Sequence, residues 1–206
     1  MAQKPTSRKE ALDETTAANP GMTSAVLDIE NADAIRGFAQ QLTGDYPTLN
    51  VVIHNAGIMR TEDLREGAVA DAEATVATNL LGPIRLTAAL LPLLEAQPHA
   101  AIMTVSSGIA FVPWALTPTY GATKAAIHSY SQSLRYQIRD TSVQVLELIP
   151  PYVRTELLGP WQANDPNAMP LEDFIAEVMG ILRDSPDATE ILVERVKALR
   201  QGEREL

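Results

Sequence analysis

The feature that most limits how this chain can fold is its alternation of short apolar runs with longer segments of helical period. Residues 49–53, 100–105 and 143–149 are nearly continuous apolar runs, too short for ordinary helices and without strict two-residue alternation. Such strands are apolar on both sides and must be covered on both faces, the condition of a parallel sheet between helical layers. Residues 23–27, ending at Asp28, and residues 190–193 read as two further strands. Between the runs, Ile35, Phe38, Ala39 and Leu42 recur at helical spacing, as do Val76, Leu80, Ile84 and Leu91 within 71–96. Residues 120–140 and 171–182 also read as helices, residues 4–18 as a weaker peripheral helix, and residues beyond 193 as a charged tail. Gly82-Pro83 predicts a kink inside the 71–96 helix. The expectation is a single domain over residues 1–206, of the α/β class.

Composition narrows the function classes. A formal net charge of −10 argues against nucleic acid or an anionic membrane as partner, because both are bound through clustered lysine and arginine. With no cysteine, and with only His54, His99 and His128 scattered along the chain, no metal-ligand spacing is legible and no metal is expected. No run of eighteen or more apolar residues is found and the first residues lack the apolar stretch of a secretory signal, so a cytoplasmic location is expected.

In open parallel α/β sheets, ligands bind beyond the carboxyl ends of the strands. The polar residues of interest fall there: Asp28 after the first run, Asn55-Ala56-Gly57 after the second, Ser107 after the third, and Thr155 shortly after the fourth. Each alone has a structural explanation, as helix cap, turn former or loop hydrogen-bonding partner. Their collection at one sheet edge points instead to a site. Tyr120 and Lys124 stand four residues apart, on one face of a helix and one turn from each other. A lysine beside a phenol favours the phenolate. Moving a tyrosine pKa from about 10 toward 7 takes roughly 4 kcal/mol, so a further positive charge, such as that of a nicotinamide cofactor, is needed to make Tyr120 a neutral-pH acid/base.

The set Asn55-Ala56-Gly57, Asn79, Ser106-Ser107-Gly108, Tyr120-x-x-x-Lys124 and Pro150-x-x-Val153-x-Thr155 resembles, in order and spacing, the classical short-chain dehydrogenase/reductase (SDR) family. The resemblance implies a Rossmann-like doubly wound parallel sheet and an oxidoreductase using NAD or NADP to interconvert a small-molecule carbonyl and alcohol. By the same resemblance Asn79, Ser107, Tyr120 and Lys124 are the catalytic set. Asp28 and Ile29 are expected at the adenine edge, and Asn55, Ala56 and Gly57 where the cofactor approaches closely. Tyr120 and Lys124 meet the nicotinamide ribose, with Pro150, Val153 and Thr155 beside the nicotinamide. His54 and Pro151 stand where the family commonly has asparagine and glycine, and Pro151 removes an amide donor there.

The family plan opens with a strand, a glycine-rich turn and a helix that receives the cofactor's pyrophosphate, and no glycine fingerprint can be drawn on this chain. The expected fold is therefore N-terminally truncated relative to that plan, with an uncovered sheet edge and impaired cofactor binding. The alternative function is a catalytically inactive short form acting as a binding or scaffold protein. Residues 109–117 and 157–170 are expected to line the substrate pocket, with Phe111, Val112, Trp114, Leu157 and Trp161 suiting an apolar or mixed substrate. The long helices 71–96 and 119–140 resemble the pair through which family members form a homodimer or homotetramer.

Overall fold

The computed structural model describes residues 8–67 and 69–202. Four strands, β1 (Val51–His54), β2 (Ala100–Val105), β3 (Val143–Ile149) and β4 (Glu190–Leu192), form one sheet in the order β1-β2-β3-β4. Every pairing is parallel. The helices are α1 (Arg8–Ala18), α2 (Ala32–Asp45), α3 (Val69–Val76), α4 (Gly82–Glu95), α5 (Pro118–Gln137), α6 (Leu171–Asp184) and α7 (Glu194–Gly202). The α/β parallel architecture expected from the sequence is observed, and β2 and β3 occupy the residues expected. Of the peripheral helix expected over 4–18, residues 4–7 lie outside the described part.

Helices cover both faces of the sheet. On one, Leu94 of α4 and Leu134 of α5 pack with Ala100, Ile102, Val143 and Val145 of the strands. Ile102 is wholly buried, a placement that contributes about 1.5–3 kcal/mol for a side chain of its size. Leu86 and Leu90 of α4 extend this layer onto Ile35 and Ala39 of α2. On the other face Phe174 and Val178 of α6 and Val196 of α7 pack with Leu146 and Ile191. The stretch Val69–Glu95 is long and apolar enough by composition to cross a membrane. Here Leu86, Leu90 and Leu94 of that stretch are core residues.

Residues 23–27 form no strand, contrary to expectation. A strand needs a neighbour to satisfy its backbone groups, and among the described residues no strand pairs with this segment. Met22 and Val26 are left 49% and 66% exposed. The same lack of cover reaches β1, which pairs only with β2. Val51 and Ile53 register with Ala101 and Met103, yet are 47% and 57% exposed, because the α6/α7 layer does not extend over them. Among the described residues β1 is therefore an edge strand.

The kink expected at Gly82-Pro83 is a π-turn, Ala77–Leu81, immediately before it. Pro83 has no N–H to give the carbonyl four residues back. The Gly82 N–H bonds instead to the Ala77 carbonyl, five residues back, which widens the turn. The turn at residues 28–31 docks here. Thr78 Oγ1 donates to Glu30 Oε1 at 2.8 Å, Arg85 donates to the Glu30 carbonyl at 3.0 Å, and Ile29 lies against Gly82. A Cβ at position 82 would lie 2.6 Å from Ile29 Cγ1 and 3.0 Å from its carbonyl oxygen. Gly82→Ala should therefore lower stability by about 1–3 kcal/mol, despite the roughly 1 kcal/mol that alanine ordinarily gains in a helix. Urea unfolding measures this, and an unchanged or raised midpoint would show that the turn yields freely.

Candidate active site

The carboxyl ends of β1, β2 and β3 open into one cavity of about 1030 Å³. Asn55, Ala56 and Gly57 from β1, Ser106 and Ser107 from β2, and Pro150, Val153 and Thr155 from β3 all line it, with Tyr120 and Lys124 from α5. Eight of the ten residues named for a cofactor are thus gathered. Asp28 and Ile29 are not among the lining residues. Asp28 Oδ1 accepts from the Glu30 N–H at 3.1 Å, a turn contact.

Each side chain is held from beneath. Thr119 lies in the first turn of α5, and its N–H and Oγ1 both donate to Glu62, at 3.0 and 2.6 Å, placing an anion at the positive helix end. Lys124 is 5% exposed; its Nζ donates to the carbonyl of Val105, the last residue of β2, at 2.6 Å. The ammonium lies 5.4 Å from the Tyr120 ring centre. Ser107, in extended backbone, starts a short 3-10 turn, its Oγ accepting from the Ile109 N–H at 3.4 Å, and it lines the cavity with Tyr120. Asn79 sits in the π-turn, 2% exposed, away from the cavity wall. Its Oδ1 accepts from the Ile58 N–H, and its Nδ2 donates to the Ile58 carbonyl, both at 2.9 Å, and to Thr123 Oγ1 at 3.3 Å. It therefore clamps the loop after β1 to α5. Gly57 lies beside this amide, where a Cβ would stand 3.4 Å from Asn79 Oδ1, an ordinary contact.

The electrostatics of the pair depart from expectation. Burial pushes the Tyr120 phenol up to about 12, the hydrogen bond from Ser107 opposing only in part. Burial likewise brings the Lys124 ammonium down to about 8. In the unliganded chain the phenolate is thus disfavoured. The cost of taking either charge from water outweighs the mutual benefit of the pair, and Lys124 spends a hydrogen bond on Val105. His54 is held neutral by burial, its pKa lowered to about 4, with Nε2 paired to Thr87 Oγ1 at 2.8 Å.

Several functional neighbours are not legible in the sequence. Gln162, 4% exposed, donates to the Val153 carbonyl at 2.8 Å and to Thr155 Oγ1 at 3.1 Å, and accepts from the Leu158 N–H. It fixes the loop that carries Thr155. The expected charged tail is helix α7, whose Leu199 lines the cavity while packing over Gly108. Phe111 and Val112, expected in the pocket, do not line it: Phe111 is core, edge-on to His128 at 4.8 Å. His128 also pairs with the buried Glu147 at 2.8 Å, close to Glu190. Arg200 already grips Glu190 through two bonds of 2.9 and 3.1 Å, so charge compensation accounts for this cluster, which linear spacing did not reveal.

The comparisons with known proteins agree with this geometry. The family model described as short chain dehydrogenase matches residues 1–166. The chain is 35% identical over 193 residues to the uncharacterized oxidoreductase DltE of Bacillus subtilis (strain 168), covering 90% of this chain and 75% of that protein. It is 30% identical over 145 residues to an NADP-dependent 3-hydroxy acid dehydrogenase, YdfG, of Shigella flexneri, covering 69% of this chain and 58% of that protein. A short-chain dehydrogenase structure from Streptomyces avermitilis superposes with a TM-score of 0.81 at 24% identity, over 96% of this chain and 81% of that one, which speaks for the fold. The chain belongs to the short-chain dehydrogenase family. It spans a little over half the length of several curated relatives that it matches.

The buried pair has a signature in stability. Lys124 titrates near 8 when folded and near 10.5 when unfolded, so between these values the native state binds fewer protons and stability rises with pH. Tyr120 is neutral in both states until pH approaches 10, above which its raised folded value makes stability fall. Stability of the native sequence relative to Lys124→Met should therefore rise by about 2 kcal/mol between pH 8 and 10. Denaturant titrations at several pH values measure this, and a flat difference would contradict the buried-ammonium assignment.

Proposed function

We propose that the chain carries the catalytic centre of an oxidoreductase that interconverts a carbonyl and an alcohol, with Tyr120 as general acid/base and NAD or NADP as hydride carrier. The observation that carries this reading is the convergence of Tyr120, Ser107 and Lys124 on one cavity at the carboxyl ends of the strands. In reduction Tyr120 gives its proton to the carbonyl oxygen as the oxygen gains charge, and in oxidation it takes the alcohol proton. Ser107 hydrogen-bonds the same oxygen and stabilises its developing charge. Asn79 fixes the loop on which the cofactor would rest and serves the proton supply. The dinucleotide, when bound, supplies or accepts hydride at the nicotinamide ring.

The donor set suits the nicotinamide riboside half of such a cofactor. Lys124 offers an ammonium, Thr155 a hydroxyl, and Asn55 to Gly57 a close backbone, beside apolar Val105, Pro150 and Val153. Asp28 and Ile29 are assigned the adenine edge. Among the described residues no glycine-rich turn at a helix N-terminus faces the cavity, so weak affinity of this chain for the whole dinucleotide is part of the proposal. The enzyme is read as cytoplasmic, acting on small molecules rather than nucleic acid or membrane, and as a homodimer or homotetramer through α4 and α5. One relative of the chain is named an NADP-dependent 3-hydroxy acid dehydrogenase.

At millimolar NADP or NAD, Tyr120→Phe should lower turnover by about 10²–10⁴-fold with the circular dichroism spectrum unchanged. Activity within threefold of the native chain would refute the role of Tyr120. Calorimetric titration tests the affinity, and micromolar binding of either dinucleotide would overturn that part of the proposal.

A further inference from the structure

Beyond Tyr120 the cavity wall changes character. Trp114, Leu157, Trp161, Phe174, Ile175 and Leu199 form most of it. Trp114 is 38%, Ile175 49% and Trp161 55% exposed, an unusual concentration of uncovered large side chains around one opening. Such walls hold ligands by apolar contact, with a few polar groups fixing orientation.

The charges in this wall are sparse and of defined sign. Among the described lining residues the side chains ionised at neutral pH are Lys124 and Asp165. Lys124 lies at the strand ends and is bonded to Val105. Asp165 is built in as a carboxylate: its Oδ1 accepts from the Asn167 N–H at 2.8 Å and its Oδ2 from the Tyr152 hydroxyl at 2.9 Å. These hydrogen bonds hold its pKa below the usual value. The nearby guanidinium groups of Arg154 and Arg195 are not lining residues; they donate to the main-chain carbonyls of Asp165 and Asn167, at 3.3 and 2.9 Å. No lining guanidinium is thus available to pair with an acid.

Resting on the carbonyl–alcohol reading above, we propose that this pocket takes an uncharged carbonyl compound bearing an aryl or similarly bulky apolar group, and that Asp165 excludes carboxylate-bearing substrates. A carboxylate entering the wall would leave water without a guanidinium fork to receive it and would face a like charge. The chain's net charge of −10 adds to that repulsion. A 3-hydroxy acid, with its carboxylate, is disfavoured on the same ground. A neutral arene meets two indoles and several aliphatic side chains.

The test compares two ketones of nearly equal shape and different charge, 3-benzoylpropionate and its methyl ester, by calorimetry on the purified chain without cofactor. The protein has two tryptophans, Trp114 and Trp161, both in this wall, so quenching of their fluorescence reports that binding occurs there. The ester should bind severalfold more tightly than the acid at pH 7, because the acid loses hydration on entering the apolar wall and faces the Asp165 charge across solvent. Asp165→Asn, which keeps an acceptor for the Asn167 N–H, should narrow the ratio by strengthening binding of the acid. The acid binding as well as the ester, an unchanged ratio in the variant, or no binding of either compound would overturn the proposal. The native-chain comparison stands even where the variant misfolds. Because the readout is binding, a charge preference without hydride transfer would sink the catalytic reading alone.

Discussion

One hydrogen bond does much to fix the relation between the two halves of the candidate site. Lys124 reaches from the middle of one buried helix turn to the carbonyl that ends β2, at 2.6 Å. That carbonyl belongs to Val105, two residues before Ser107, so the contact ties the helix bearing Tyr120 to the loop bearing its hydroxyl neighbour. A hydrogen bond from a charged donor contributes about 1.5–3 kcal/mol, and a buried ammonium deprived of it would be left uncompensated. The lowered Lys124 pKa is the other side of the same placement, because the lysine is held where water cannot fully solvate it. The sheet supplies the level at which everything meets, and Lys124 sets the angle of approach.

A second constraint is the widened turn at Ala77–Leu81. It arises from the missing N–H of Pro83 and from Gly82, whose bare backbone admits Ile29. The result is local and functional together: Asn79 is turned inward, where both ends of its amide grip Ile58. The loop after β1 is then held by a side chain rather than by its own turn chemistry. Gln162 does the same for the loop after β3, so loops from two strand ends are pinned by buried amides. This arrangement suits a site that must hold a ligand by loops without yielding to it.

What was legible in the sequence follows from range. Residues 100–105 and 143–149 declare themselves because a centrally placed parallel strand is apolar on both faces, and the site motifs declare themselves by spacing along the chain. Residues 23–27 have the same local character, yet form no strand, since pairing depends on a neighbour that local pattern cannot supply. The 194–202 segment reads as a charged tail because Glu194, Arg195, Lys197 and Arg200 dominate it. Only Val196 and Leu199 turn inward, and a two-residue stripe is too faint to read. Phe111 was placed in the pocket for its loop position; packing of Phe111 beside His128 sends it to the core instead. Gln162 and Asp165 carried no signal, as their partners lie in the preceding loop and their role depends on its folded shape.

The burial of Tyr120 bears on both directions of the proposed chemistry. A phenol held near 12 is a reluctant base, and oxidation of an alcohol would require it to ionise first in a place that penalises anions. Proton donation leaves the same phenolate behind, so the burial penalty weighs on both directions of the proposed reaction. Ser107 and Tyr120 line the same cavity, so a carbonyl oxygen seated between them would meet two hydroxyl donors. Lys124 cannot lower the phenol's pKa by itself while its proton serves Val105. A cationic nicotinamide in the site would favour the phenolate. In the proposed reaction the positive charge that hydride transfer leaves on the nicotinamide would therefore offset the cost that burial sets on ionised Tyr120.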